Sequence, residues 1–393
     1  MTTDTRRRFW QTHCGDLEDL TRFLFTHPEP GFKETQAAAA ITALLEQDGF
    51  TVTRGYGGLD TAFAASKQYG TGGPHIGLLC EYDALPNFGH GCAHHLQPAC
   101  MIGAARILEH LAPKNGYTLS IIGTPAEESA EGGKHIMIRN GAFRELDVAL
   151  MMHGSDCTTT DVRSLACIEM DVTFHGTASH AAIAPELGRS ALEAAILTTN
   201  GLAFLRGHVK DDVRIHYMIK NGGSAVNIVA DTAVLTVELR AGTSAYLHEL
   251  LEWFYRILDG ACLMTGTTHT LCANSEFLNK IPVLSLNDLL MKHAHTLQAP
   301  AITPPREKTG STDFAAVMHL VPGSSIRVAF IQKGITAHTQ EWLDQGLSDA
   351  ALDASRIGAE ILAYSCRDLI DDPALLSRIQ ADYAQEKAAM LQK

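Results

Sequence analysis

Residues 81–99, EYDALPNFGHGCAHHLQPA, place two carboxylates, one thiol and three imidazoles within fifteen positions. The Cys92-x-His94 spacing lets a thiolate and an imidazole converge from a single loop, and both are good ligands for zinc, manganese or cobalt-like ions. A buried cysteine at a helix start beside surface histidines explains the triplet about as well. Three other stretches carry donors of the same kind: TPAEES with adjacent Glu127 and Glu128, MMHGS with His153, and GITAHTQEW with His338. Singly each is weak. Adjacent acids usually form a solvated loop, and a lone histidine carries little information in a chain with 19 of them. Together they supply five donors and a spare carboxylate, which suits a two-metal hydrolytic centre: the ions activate a water and the free carboxylate takes its proton.

Such a centre needs elements that bring four distant stretches to one place. Apolar runs bounded by Gly, Pro and Asn at 61–66, 75–85, 117–128 and 147–155 read as buried strands, and 324–332 reads as another. Helical patterns cover 16–27, 33–49, 97–112 and 133–140. Buried strands alternating with helices give an α/β catalytic domain with a mostly parallel sheet. In that architecture ligand sites lie beyond the carboxyl ends of the strands, where Glu81/Asp83, Glu127/Glu128 and His153 fall. The pattern changes near residue 167. A strand at 167–176, a helix at 186–206, strands at 213–219 and 232–240, a helix at 244–264 and a strand at 268–275 suggest a smaller antiparallel α+β insert. The expected division is 1–166 and 279–393 for the catalytic domain, interrupted by 167–278.

Composition removes several function classes. A length of 393 residues favours two domains, and 46% apolar with 19% charged residues is ordinary globular composition. A formal net charge of −13 argues against nucleic acid or an anionic membrane as partner, and RRR at Arg6–Arg8 reads as a solvated helix start. No apolar run approaches the roughly 18 residues of a membrane span. The first twenty residues lack the apolar core of a secretory signal, so the nine scattered cysteines are expected as free thiols in the cytoplasm.

With these residues in view, the chain resembles the aminoacylase/carboxypeptidase superfamily of di-metal metallopeptidases. It is most similar to the branch holding hippurate hydrolase, auxin-conjugate hydrolases and aminobenzoyl-glutamate hydrolase. The resemblance rests on EYDALP, GHGCAHH, GTPAEE, MMH and AHT in that order, and on HGTASHAAIAPELGRSALEAA and GGSAVNIVADTAVLTVELRA in the insert. It implies that Cys92, His94, Glu128, His153 and His338 bind two divalent ions, manganese or zinc with cobalt a further candidate, and that Cys92 bridges them. It implies Glu127 as general base and Asp83 as the carboxylate orienting a ligand imidazole. From the insert, a dimerisation or lid domain in this family, His180 would polarise the scissile carbonyl across a dimer interface. Asn227 and Arg240 would hold the substrate's carboxylate and oxyanion. Two departures stand out: Ala93 replaces the family's glycine, and His95, where the family has Asp or Asn, becomes a candidate substrate contact. HGS also replaces the usual His-Pro after MM.

The expectation is a cytoplasmic, homodimeric amidohydrolase cleaving N-acyl amino acids or small dipeptide-like conjugates. Two rivals remain. A cysteine hydrolase using Cys92 leaves Glu127, Glu128, His153 and His338 unexplained. A non-catalytic ligand-binding homologue has only the altered CAHH in its favour.

Overall fold

The structure, a computed structural model, describes residues 3–307 and 309–391. It contains eleven strands: β1 Thr51–Arg54, β2 Phe63–Tyr69, β3 His75–Cys80, β4 Tyr117–Gly123, β5 Val148–Ser155, β6 Thr159–Thr160, β7 Ala166–His175, β8 Arg214–Asn221, β9 Thr232–Ala241, β10 Thr268–Phe277 and β11 Gly323–Ala329. The described residues form two compact units, one of those up to Ser164 together with those from Lys280 to Ala389, and one built on Leu165–Asn279.

In the first unit seven strands form a sheet in the order β1-β2-β4-β3-β5-β11-β6. The four central strands run parallel, while β1, β2 and β6 pair antiparallel at the two sides. The parallel part is therefore confined to the middle, where helices cover both faces and the strands must be apolar throughout. Ile76, Leu78, Leu79, Leu150 and Met152 meet that need and are wholly buried. Each such side chain contributes about 1.5–3 kcal/mol of transfer free energy. Helices Gln97–Leu111 and Asp349–Asp371 close one side, and Gly358 allows the approach: a Cβ there would stand 2.7 Å from Met152 and 2.9 Å from the Cys100 sulfur. The apolar run at 75–85 leaves the sheet after Cys80. The Gln97 side chain takes the place of a neighbouring strand, accepting from Glu81 N at 3.0 Å and donating to Glu81 Oε2 at 2.8 Å. That exchange turns the chain out at a strand end.

The second unit is a four-stranded antiparallel sheet, β10-β7-β9-β8, with helices Ala191–Leu205 and Ser244–Thr265. Alternate residues of β7 (Ile168, Met170, Val172, Phe174) and β9 (Leu235, Val237, Leu239) form its core, the period-two pattern of a sheet with one buried face. Among the described residues no helix is long and apolar enough to cross a membrane, and all nine cysteines are free thiols.

Candidate metal centre

Four strand ends build the site. The loop after β3 carries Asp83, Cys92 and His94, and the loop after β4 carries Glu127 and Glu128. His153 stands within β5, and the loop after β11 returns with His338. Four residues in these loops hold left-handed backbone without being glycine: Asn87 (φ 59°), Ala93 (φ 64°), Ala126 (φ 62°) and His338 (φ 67°). Each such conformation costs on the order of 1 kcal/mol and persists only where the surroundings enforce it. The enforcing contacts are visible. Glu34 accepts from Ala126 N at 2.8 Å, and His338 N donates to Gly91 O at 2.9 Å.

The donors converge. Cys92, His94 and His153 offer ligand atoms that all lie within 4.8 Å of one another, and so do Cys92, Glu128 and His338. Cys92 belongs to both groups. Its sulfur lies 3.5 Å from His153 Nε2, and Glu128 Oε1 lies 3.3 Å from His338 Nε2. His153 Nδ1–H donates to Gly154 O at 2.7 Å, which leaves Nε2 with its lone pair. Asp83 sits behind the donors: its backbone carbonyl accepts from His94 Nδ1 at 3.2 Å, with carboxylate Oδ1 3.3 Å from the same nitrogen, while Oδ2 accepts from Glu128 N at 2.9 Å. Buried His94 Nε2 and Glu128 Oε1 make no well-aligned hydrogen bond among the described residues, their nearest charged neighbours being Glu81 Oε2 and His338 Nε2, each at 3.3 Å. Poorly satisfied ligand atoms on a sulfur, imidazole and carboxylate set are what a divalent metal would satisfy. The donor set fits two such ions.

Electrostatics separates the two adjacent acids. Glu128 is held down at about 2: burial opposes its charge, but His338 and His94 outweigh it. Glu127 goes the other way, raised well above the carboxylate range by burial and then by the nearby charges of Glu81 and Asp313. One acid therefore stays ionised while its neighbour is primed to hold a proton, the division of labour expected of a ligand beside an acid/base. Burial also pushes the Cys92 thiol up to about 12, so without a cation beside it little thiolate would exist for a cysteine-hydrolase reaction.

Behind Glu127 lies a network that pattern reading missed. Lys134, with no exposed surface, donates to Glu81 Oε1 and Asp313 Oδ1, both at 2.6 Å. Lys134 lies in EGGKH and Asp313 in STDF, where a lysine at a helix start and an acid at a turn ordinarily face water. Glu34, which steers Ala126, was equally hidden.

His95 departs from expectation. It is wholly buried, donates from Nε2 to Gly346 O at 2.7 Å and packs against Phe25 and His90 at 4.8 and 5.1 Å. Burial lowers its pKa to about 4, so it is a neutral core residue and the expected substrate contact is corrected. In the second unit His180 and Asn227 come together on adjoining exposed loops, with Ala181 N donating to Asn227 O at 3.0 Å. Arg240 sits eight residues along β9 from Thr232, about 26 Å at about 3.3 Å per residue. There it makes a two-pronged pair with Glu238, at 2.7 and 2.8 Å. One copy of the unit therefore does not unite Arg240 with His180 and Asn227.

Residues 166–263 match the M20 peptidase dimerisation domain. Human Xaa-Arg dipeptidase is 33% identical, covering 93% of this chain and 88% of its own. A p-aminobenzoyl-glutamate hydrolase chain from Escherichia coli is 30% identical over 93% of this chain and 92% of its own. A dinuclear metal-binding peptidase of the M20 family from Bacillus subtilis has the same fold, with a TM-score of 0.69 at 18% identity over 92% of this chain and 99% of that one. Likeness this extensive to relatives at 30% identity or more settles the lineage: the chain belongs to the M20 peptidase family and is a hydrolase of amide bonds.

Proposed function

We propose that this protein hydrolyses the amide bond of N-acyl amino acids or dipeptide-like conjugates at a centre of two divalent ions, manganese or zinc. The observation that carries the reading is the sharing of Cys92 between two donor groups, with Glu127 within reach of His94 and Glu128. Cys92, His94 and His153 would hold one ion, and Cys92, Glu128 and His338 the other. Ions so held would lower the pKa of a water towards about 7 and polarise a carbonyl. The chain's own residues do the rest. Asp83 fixes the His94 ring through Nδ1, Glu127 accepts the proton of the attacking water, and the same carboxyl returns it to the leaving amine. His180 and Asn227 are proposed to reach the substrate carbonyl from the second copy of a homodimer. The relatives named for dipeptides and for aminobenzoyl-glutamate support the substrate class.

The test is amine release from N-acyl amino acids, aryl-amide glutamates and dipeptides, with manganese or zinc and again after chelation. Release should require metal. Glu127→Gln should lower kcat by at least about 10²-fold while bound metal stays constant. An unchanged rate in that variant would remove Glu127 from the chemistry, and release surviving chelation would overturn the whole reading.

A further inference from the structure

Next to the metal-ligand candidates lies a charge cluster that the proposed chemistry does not use. Asp161, 5% exposed, receives three cations. Lys280 Nζ is 2.8 Å from Oδ2, Arg306 Nη2 and Nε are 2.8 and 2.9 Å from Oδ1, and Arg327 Nε is 3.0 and 3.2 Å from the two oxygens. Asp161 brings one negative charge to three cations, of which Arg306 and Arg327 keep part of their side chains exposed to a further anion.

Arg327 is the member that points to where such an anion goes. It spends only Nε on Asp161; its terminal nitrogens have no acceptor among the described residues, although its side chain is only 21% exposed. In the parallel pairing of β11 with β5 it stands directly opposite His153, so both side chains leave the same face of the sheet. Two parallel N–H donors on a mostly covered guanidinium form a fork that matches a carboxylate. Arg240, by contrast, already spends its fork on Glu238.

We propose that Arg327, backed by Arg306 and Lys280, binds a carboxylate of the substrate beside His153 and makes the enzyme select acids over the corresponding amides. The proposal rests on the hydrolase reading above. No bond is made or broken at this subsite; it orients the substrate and offsets the surplus charge.

The experiment compares an N-acyl amino acid from the panel with its carboxamide. In Arg327→Met, kcat/KM for the acid should fall by about 10–100-fold, the range for losing a charge-assisted contact, and the amide should change less than about threefold. Asp161 keeps Lys280 and Arg306 in this variant, so its melting temperature and metal content should stay near the parent's. Arg327→Lys keeps the charge and loses the fork; it should raise KM for the acid alone. A second readout needs no turnover: calorimetric titration of the same acid and amide into Glu127→Gln, with and without Arg327→Met. Loss of acid binding only, on removing Arg327, supports the subsite. Equal losses for acid and amide, or none, overturn it and leave the hydrolase reading intact. Absence of turnover on every panel member would sink the hydrolase reading instead, while the titration still decides the subsite.

Discussion

Lys134 shows how much of this site rests on a single side chain. Its ammonium is the only group donating to both Glu81 and Asp313 among the hydrogen bonds of the described residues, and all three side chains are essentially without exposed surface. Substituting it with methionine leaves Asp313 without its ammonium partner and Glu81 with only His94, 3.3 Å away, as counter-charge. Breaking a buried pair in this way costs about 3–5 kcal/mol. Chemical denaturation of Lys134→Met should show a loss of that size; a change below about 1 kcal/mol would mean that the two acids simply take up protons. This residue was not legible beforehand. A lysine directly after a glycine pair reads as the exposed start of a helix, and only the packing of Gly133–Arg139 against helix Phe314–Met318 and the turn Tyr56–Gly58 makes it internal. Cys92, His94 and the Glu pair were legible as candidates, because donors of one chemical kind recur in four stretches that each follow or end a strand.

Elements rather than residues explain the two departures from the related motifs. Ala93 and Gly154 belong to different strand-end segments, yet a Cβ built on Gly154 would stand 3.1 Å from the Ala93 methyl and 3.0 Å from Phe330. A methyl where the resembling family has glycine therefore goes with a glycine where many members have proline. Gly154→Ala should destabilise by about 1–3 kcal/mol, as overpacking does. Adding Ala93→Gly should recover at least about 0.5 kcal/mol of that loss through direct coupling. Strictly additive effects in urea denaturation would show that the two segments do not sense one another. The strands themselves were readable because a parallel, doubly covered strand is apolar along its whole length. Their ends were not: the run 75–85 is apolar enough to continue, and Gln97, sixteen residues away from Glu81, stops it.

For the whole molecule, the second unit carries the assembly argument. It matches a peptidase dimerisation domain over residues 166–263 and exposes large apolar side chains, with Phe204 at 77% on helix Ala191–Leu205 and Met218 at 58% on the edge strand β8. An unpaired edge strand beside exposed apolar groups is a ready template for a second copy. Sedimentation should give twice the 42.5 kDa chain mass, and Phe204→Asp with Met218→Asp should return the monomer. A dimer that withstands both changes would place the interface on another face.

The alternating α/β plan, the interrupting α+β segment and the donor residues of the metal centre can all be read along the chain. Periodicity and donor chemistry are local properties, carried by residues a few positions apart. Folding in three dimensions was needed to show which acid of the Glu127–Glu128 pair stays ionised, that His95 is core, and that Lys134 and Arg327 stand beside the centre. Those outcomes depend on burial and on charges from segments tens to hundreds of residues away. Asp313 reaches Lys134 across 179 positions and Arg327 reaches Asp161 across 166, and no local pattern records contacts of that span.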